Sequence, residues 1–562
     1  MKQLTLTLTL LVHLFISPSK AQWTSNPLEN NSIASKTGEQ ALPKIVTHTD
    51  GSVYICWFTT ETGSYNVRLQ CLDDTGNALW GDNGILVSSE PQETWITDYD
   101  MAIDPTGHAI ITFMDIRTGN PNPVAYRISP EGEHMWGASG ILLANNSNFD
   151  PSPKVCVTEE GNAVFAWQSA PSGPSEVRLQ KISPDGQKLW GDEGIILLQS
   201  GVSYTSPNVF PADGDHVFFT WYRETGPFYA PNRGLYAQKL DVDGSFMWAS
   251  ETVIYAPVAS GPVYYLETCR DDEGGIIFTW YRNHSGTHFH CYIQRMTFDG
   301  QITMPPAGAL MSVSTNRNHF YPVPAFLNQT QEIICFFSEQ DLNQNDRGFY
   351  AQKFDLAGNR LWTDEGKQLI PLGNNDYGLF MADGHNDKAI CIYQAADFGN
   401  SVDSKMQAVM LDAAGDYVWP AQFINLSTYQ SEKLHNVMTG YFWGQWVTVW
   451  EDRRNDSGDI FAQNIQPDGT LGAVTTAIHS GNPNHAGPVE VYPNPFNDYV
   501  NFSAEIEIAT ISIYDSKGNL VLSSGFHNSA INIETSFLSS GLYFYQIVAD
   551  SGQTVHGKIV KQ

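Results

Sequence analysis

A glycine turn followed four residues later by an aromatic recurs along this chain, and its spacing limits the fold more than any other feature. Gly76, Gly132, Gly186, Gly244, Gly358 and Gly415 are followed by Trp80, Trp136, Trp190, Trp248, Trp362 and Trp419, while Gly300 and Gly469 keep the place but lead to Met304 and Ala473. Successive glycines lie 56, 54, 58, 56, 58, 57 and 54 residues apart. A period held that closely is the mark of an internal repeat.

Each unit holds further landmarks. About twenty residues before the turn, an alternating strand ends in an aromatic: Trp57, Phe113, Trp167, Trp221, Trp280, Phe337, Tyr393 and Trp450. A shorter strand precedes it, as in Pro43 to Val46, a third follows, as in Val177 to Ile182, and a fourth comes after the tryptophan, as in Gly194 to Leu198. Four short antiparallel strands per repeat make a β-propeller blade, so eight units predict an all-β, eight-bladed β-propeller over residues 22–478. The first three strands of the last blade fall near residues 430–468. Gln22-Trp23 matches Leu79-Trp80, with Trp23 lying 57 residues before Trp80, so the N-terminal segment is placed as the missing fourth strand. That placement leaves no open sheet edge. Thr470 to Ile478 competes for the same place.

Composition agrees. Aromatics are 12%, with 15 Trp, 47 Gly and 30 Pro, and no long helical periodicity appears, which favours short strands and tight turns. Lys plus Arg is 30 against 60 for Asp plus Glu, a net charge of −30 with no basic run, which excludes a nucleic-acid partner. The acidity serves solubility, or alternatively attraction of divalent cations. The seven cysteines are an odd number without Cys-x-x-Cys spacing and sit mostly in apolar runs, which reads as buried free thiols. Cys56 and Cys71, on consecutive strands of one hairpin, are the pair for which a disulfide is the alternative.

The termini read as address labels. Met1-Lys2, an apolar run from Leu4 to Ile16 and Ser19-Lys20-Ala21 make residues 1–21 a signal peptide, too short to span a bilayer. No later stretch is long and apolar enough for a transmembrane segment. Residues 479–487 read as a linker. The final segment, 488–562, holds Tyr492-Pro493-Asn494-Pro495, then Ser540-Gly541-Leu542-Tyr543, then Lys558-Ile559-Val560-Lys561. It resembles the type A C-terminal sorting domain of the type IX secretion system of Bacteroidetes-type bacteria. The resemblance implies a secreted or outer cell-surface protein that meets the type IX machinery and its sortase. It also implies removal of the tail, with the propeller released or attached to a surface glycolipid. About seven short strands in this segment predict a small immunoglobulin-like β-sandwich.

Candidate sites are fewer. The repeated tryptophans are expected to pack between blades, since a residue recurring in register serves the repeat. An arginine follows the second strand in four units: Arg117, Arg223, Arg282 and Arg453. These four lie on one face of the disc, where they either pair with local carboxylates or ring a pocket for carboxylated or sulfated sugars. Ser183 to Trp190 faintly resembles the Asp-box turn of sialidases, itself a structural turn. Asp341, Asn343 and Asn345 place side-chain oxygens at alternate positions, as calcium loops do, against a solvated hairpin; nothing else calls for a cofactor. No Gly-x-Ser-x-Gly, His-Glu-x-x-His or phosphate loop is present, and no catalytic residue is singled out. The reading from sequence is a noncatalytic binding protein for a glycan or protein ligand. Its rival is a carbohydrate-active enzyme, glycosidase or lyase, on a propeller scaffold, and a structural surface component is the third.

Overall fold

The computed structural model describes residues 22–473, apart from 61–62, 93–97, 228–230, 260–265 and 285–287, and residues 490–561, apart from 493–495, 498, 516–519 and 550–553. The chain divides into two compact units, Met1–Val474 and Thr475–Gln562. The expected signal peptide and linker, the segment 474–478, and Pro493, Asn494 and Pro495 lie outside the described residues.

Among its described residues the first unit contains eight four-stranded antiparallel sheets. In chain order they span 40–88, 100–142, 154–197, 203–259, 266–310, 317–373 and 375–431, and the eighth joins 433–465 to 31–34; they are called sheets one to eight below. In the third, Lys154–Val157, Ala163–Ser169, Glu176–Ile182 and Ile195–Leu197 pair in simple succession. First strands of successive sheets lie side by side from sheet one to four and from five to eight, and that of sheet eight lies against that of sheet one. Sheets four and five share an apolar core containing Phe218, Tyr255, Phe278 and Trp280. The result is a closed, propeller-like ring. Second strands such as Val53–Thr59 and Ala109–Asp115 are buried along their whole length, as strands packed on both faces must be.

The glycine–tryptophan pair explains why the repeat is kept. Each turn glycine sits at positive φ, from 80° at Gly300 to 90° at Gly415, where a side chain is strained. All but Gly358, which packs on Met304, also lie against the aromatic of the preceding unit: Gly186 against Trp136, Gly415 against Trp362, and Gly76 against Trp23. Indole N–H groups donate across the same joints, Trp80 to the Pro130 carbonyl at 3.2 Å, Trp136 to Pro184 at 3.1 Å and Trp419 to Pro467 at 2.9 Å. A Cβ on Gly300 would stand 2.7 Å from Trp248. Gly300→Ala is therefore expected to cost about 2–5 kcal/mol, the sum of left-handed strain and overpacking. Gly119→Ala, at φ 87° with nothing within 4 Å, should cost only about 1–2 kcal/mol. Denaturant midpoints of the two variants check the difference.

In sheets one, three, five and six a buried glutamine on the third strand braces the joint. Gln70, Gln180, Gln294 and Gln352 donate to carbonyls of Gly81, Gly191, Pro305 and Thr363. The first three also accept the amides of Trp80, Trp190 and Met304, so the turn into the fourth strand is fixed by a side chain rather than by ladder bonds.

The ring is closed by Asn31–Ala34, which pairs with Asp459–Ile465. Trp23 donates to the Asp74 carbonyl at 3.1 Å, the same bond made at the other joints. Arg454 adds charge to this seam: it bonds Asp452 at 2.6 Å, the Glu29 carbonyl at 2.9 Å and Asn30 at 3.0 Å. Near the axis Asp98 receives Lys44 from sheet one and Lys154 from sheet three, at 2.7 and 2.5 Å. Burial raises the Asp98 carboxyl, but the two ammonium groups outweigh it and hold the group well below the usual carboxylate range.

All seven cysteines are free. Cys56 stands opposite Leu69 and Cys71 opposite Tyr54, so the two thiols are out of register for a bridge. Burial pushes both up to about 12.

The second unit holds five strands among its described residues: Glu490–Tyr492, Tyr499–Tyr514, Leu520–Glu534, Gly541–Ala549 and Thr554–Lys561. Residues 501–503 pair with the first strand and 499–503 with 530–534, whereas 508–514 pair with 520–528 and with the fourth strand. Each long strand thus does the work of two, which is why the sequence pattern reads as about seven. Phe496, Phe502, Ile511, Tyr545 and Ile559 build its core.

Candidate functional site

The two faces of the ring follow from strand direction. First strands begin, and second strands end, on the face that carries the recurrent arginines; the opposite face holds the ends of the first strands.

On the arginine face most guanidinium groups have local duties. Arg117 is held by Asp115 at 2.5 Å and by the Tyr126 hydroxyl at 2.8 Å, and reaches the Ser139 carbonyl. Arg223 pairs with Glu251 and covers the Tyr236 ring at 4.1 Å. Arg453 pairs with Glu432 at 2.7 Å. The groups reached by Arg117 and Arg223 occupy one position, three residues after the repeat tryptophan, and Arg68 and Arg178 reach the same position at Asn83 and Glu193 from the third strand. The recurrent cation is a clamp on the turn into the fourth strand. In sheet eight, the counterpart of Arg117 is Arg454, whose Asp452 stands where Asp115 stands; Arg453 is its more exposed neighbour.

Arg282 differs. It makes one long bond, 3.4 Å, to the Ala307 carbonyl and has no acidic partner among the described residues. Its guanidinium lies 4.5 Å from the Tyr292 ring centre. The Tyr292 hydroxyl is 2.5 Å from Nδ1 of the exposed His284. Burial pushes the Tyr292 phenol up, with the Arg282 charge pulling the other way. Strand pairing brings this about: Arg282 stands opposite His290 and Trp280 opposite Tyr292.

Behind the exposed His284 lies a buried polar chain of His290, His319 and Glu339. The His284 and His290 rings are 4.7 Å apart, and the His290 and His319 rings 5.0 Å apart. His319 bonds Glu339 at 3.1 Å, its cross-strand partner in sheet six, and Arg317 approaches the same carboxylate at 3.5 Å. Burial first, then the charge of His319, lowers His290 to about 4. Because His290 is depressed from 6.5, its stabilising effect is complete above pH 6.5 and is lost as pH falls to about 4. The loss should reach about 3 kcal/mol at most. Unfolding midpoints across that range check it, and His290→Gln should flatten the slope.

A cleft of 240 Å³ opens on the same face at sheet seven, lined by Tyr377, Asp397, Lys405 and Gln407 among others. The Asp341 carboxylate accepts the backbone amides of Asn345 and Asp346 at 2.7 and 3.0 Å and so caps an exposed hairpin. Asn343 and Asn345 belong to the same turn. Among the described residues no group of three or more His, Cys, Asp or Glu is placed to hold a metal ion.

Sequence reasoning missed His284, His290, Tyr292, His319 and Glu339. One signal was present: His284, His288 and His290 fall within seven residues of a chain with 15 His.

In the second unit, Tyr492 ends a strand, Gly541 begins one opposite Lys561, and Lys558 is exposed. Tyr543 donates to the Ser539 carbonyl at 2.8 Å, and Lys561 bonds the Asn497 carbonyl beside the Phe496 ring. Residues 490–562 match the family model described as the secretion system C-terminal sorting domain. These residues are a type IX sorting domain. The chain that carries this sorting domain is exported, to the medium or the outer cell surface, by the machinery that reads it. No helix among the described residues is long and apolar enough to cross a membrane.

An endo-acting ulvan lyase of Formosa agariphila is 25% identical over 212 residues, 36% of this chain and 37% of that protein. The chain thus matches little more than a third of that relative's length. Among solved structures, polysaccharide lyase Uly1 aligns at 11% identity and TM-score 0.37, over 72% of this chain and 94% of that one. The Dos1 propeller aligns at 11% identity and TM-score 0.44, over 79% and 96%.

Proposed function

We propose that the exported chain is an eight-bladed propeller followed by an immunoglobulin-like sorting sandwich, and that the propeller cleaves a carboxylated polysaccharide by β-elimination at Arg282, His284 and Tyr292. One observation carries this: in a chain of net charge −30, a guanidinium without an acidic partner among the described residues stands over a tyrosine that is bonded to an exposed imidazole. The name of the Formosa agariphila relative, an endo-acting ulvan lyase, is in keeping with it.

The chemistry follows from the groups. A uronate carboxylate binds the Arg282 fork, which draws charge from the neighbouring C5 and acidifies its proton. His284 donates Nδ1–H to the Tyr292 oxygen, which leaves Nε2 bare and facing the substrate. Nε2 takes the C5 proton; the electron pair forms the C4–C5 double bond; the C4–O bond breaks, and the leaving oxygen takes the same proton back from the imidazolium. A glycosidase would need two carboxylates free for acid and base roles. On this face Asp115, Glu224, Glu251 and Glu432 are each bound by arginine and Glu339 by His319, while Asp150 and Asp459 are bonded by Asn146 and Asn455 and Asp397 lines the cleft at sheet seven.

The second reading is binding of the same glycan without turnover. It is favoured by the arginine–tyrosine pairs beyond this site, Arg117 with Tyr126 and Arg223 with Tyr236. In either case the sorting domain is removed on export and the propeller is released or joined to a surface glycolipid. A glycan array run beside an activity screen on the same polysaccharides separates the readings. Turnover of a uronate polymer supports elimination, retention without turnover supports binding alone, and neither would dismiss both.

A further inference from the structure

The opposite face of the ring holds a second arginine, Arg270, without an acidic partner among the described residues. A cavity of about 650 Å³ lies there, lined by the ends of the first strands of sheets one to five. Its walls are mainly apolar, from Ile103, Pro105, Val157, Phe210 and Ala212. The acids at its rim are spoken for. Asp104 binds Arg127 at 2.7 Å, Asp271 binds Arg295 at 2.6 Å, and Glu159 accepts the Gly214 amide at 2.8 Å. His48 lies 3.1 Å from Asp50.

Arg270 has no such partner. Its two terminal nitrogens donate to the Pro211 and Gly274 carbonyls at 2.7 and 2.8 Å, which fixes the plane of the guanidinium. Its Nε is buried without a partner, and no carboxylate lies within ion-pair reach among the described residues. Burial lowers its proton affinity, Asp271 opposing the effect only in part. A partly buried cation held in place at an apolar cavity is a receptor for one negative charge.

We propose that this cavity binds a small monocarboxylate with an apolar body, the carboxylate on Arg270 and the body against the Ile103, Val157 and Phe210 walls. Sugars fit poorly, because their hydroxyl groups would meet mainly apolar walls, and the carboxylates Asp104 and Asp271 are already bonded to arginine. A phosphate dianion fits poorly as well, because one cation faces it where two would be needed.

Calorimetry of the full chain with octanoate and with 1-octanol, both below micellar concentration, tests this. Octanoate should bind saturably at one site, at least tenfold more tightly than 1-octanol. Arg270→Gln should bring octanoate down to the level of octanol, while Arg282→Gln, on the other face, leaves it unchanged. Equal affinity for the two probes, no saturable binding of octanoate, or loss in Arg282→Gln rather than Arg270→Gln would each overturn the proposal. Should Arg270→Gln fail to fold by circular dichroism, the comparison of the two probes on the unmodified chain still decides.

Discussion

Replacing His284 by glutamine is expected to lower turnover of a uronate polysaccharide by about 10²–10⁴-fold, the usual worth of a positioned proton-transfer group. His284 is exposed, so its loss should leave stability within about 0.5 kcal/mol of the parent. Tyr292→Phe should show a different signature. The imidazole stays, but the bond that sets its tautomer goes, so the rate constant falls while substrate affinity holds. Arg282→Lys keeps the charge but loses the fork, and should weaken both. Rates and affinities of the three variants, measured on one polysaccharide, check this. Equal loss in all three with lowered melting would mean that the cluster is merely structural.

Deleting residues 490–562 is expected to abolish delivery to the medium or outer surface altogether, since the sorting domain is the part the secretion machinery reads. The first unit should still fold, because its ring is closed by its own N-terminal strand, Asn31–Ala34, and not by the tail. Cell fractionation with a protease-protection assay checks both points. The truncated chain should be found folded and inaccessible inside the outer membrane, and its unchanged display at the surface would refute the assignment.

The ring was legible because its joints are local chemistry. A positive-φ glycine and a tryptophan four residues on are a short pattern that repeats visibly, and Trp23 betrayed the closing strand by standing one period before Trp80. The sorting domain was legible from its motifs, although two long strands of 16 and 15 residues passed for four short ones. The candidate site was half legible. Arg117, Arg223 and Arg282 follow the landmark aromatics and were found. Arg68 and Arg178 serve the same clamp from the neighbouring strand, where counting from the aromatic does not reach. The sequence pattern points to Arg453, whereas Arg454 makes the clamp in sheet eight, because the turn of Arg454 inward beside Asp452 is not visible in a string of two arginines. His319 and Glu339 are 20 residues apart and meet only through cross-strand register. What separates Arg282 from its counterparts is the absence of a carboxylate partner among the described residues, a property of three-dimensional neighbours and not of any motif. The same holds for Arg270.

The measurement that bears most directly on the proposed activity is ultraviolet absorbance during incubation with a uronate polysaccharide and with its carboxyl-reduced counterpart. β-Elimination leaves a C4–C5 double bond conjugated to the carboxylate, and that chromophore appears only if the carboxylate is present and the proton leaves C5. Absorbance should rise with chain cleavage on the native polymer, stay flat on the reduced one, and fall to background in His284→Gln. Cleavage without the chromophore, or equal cleavage of the reduced polymer, would contradict the account.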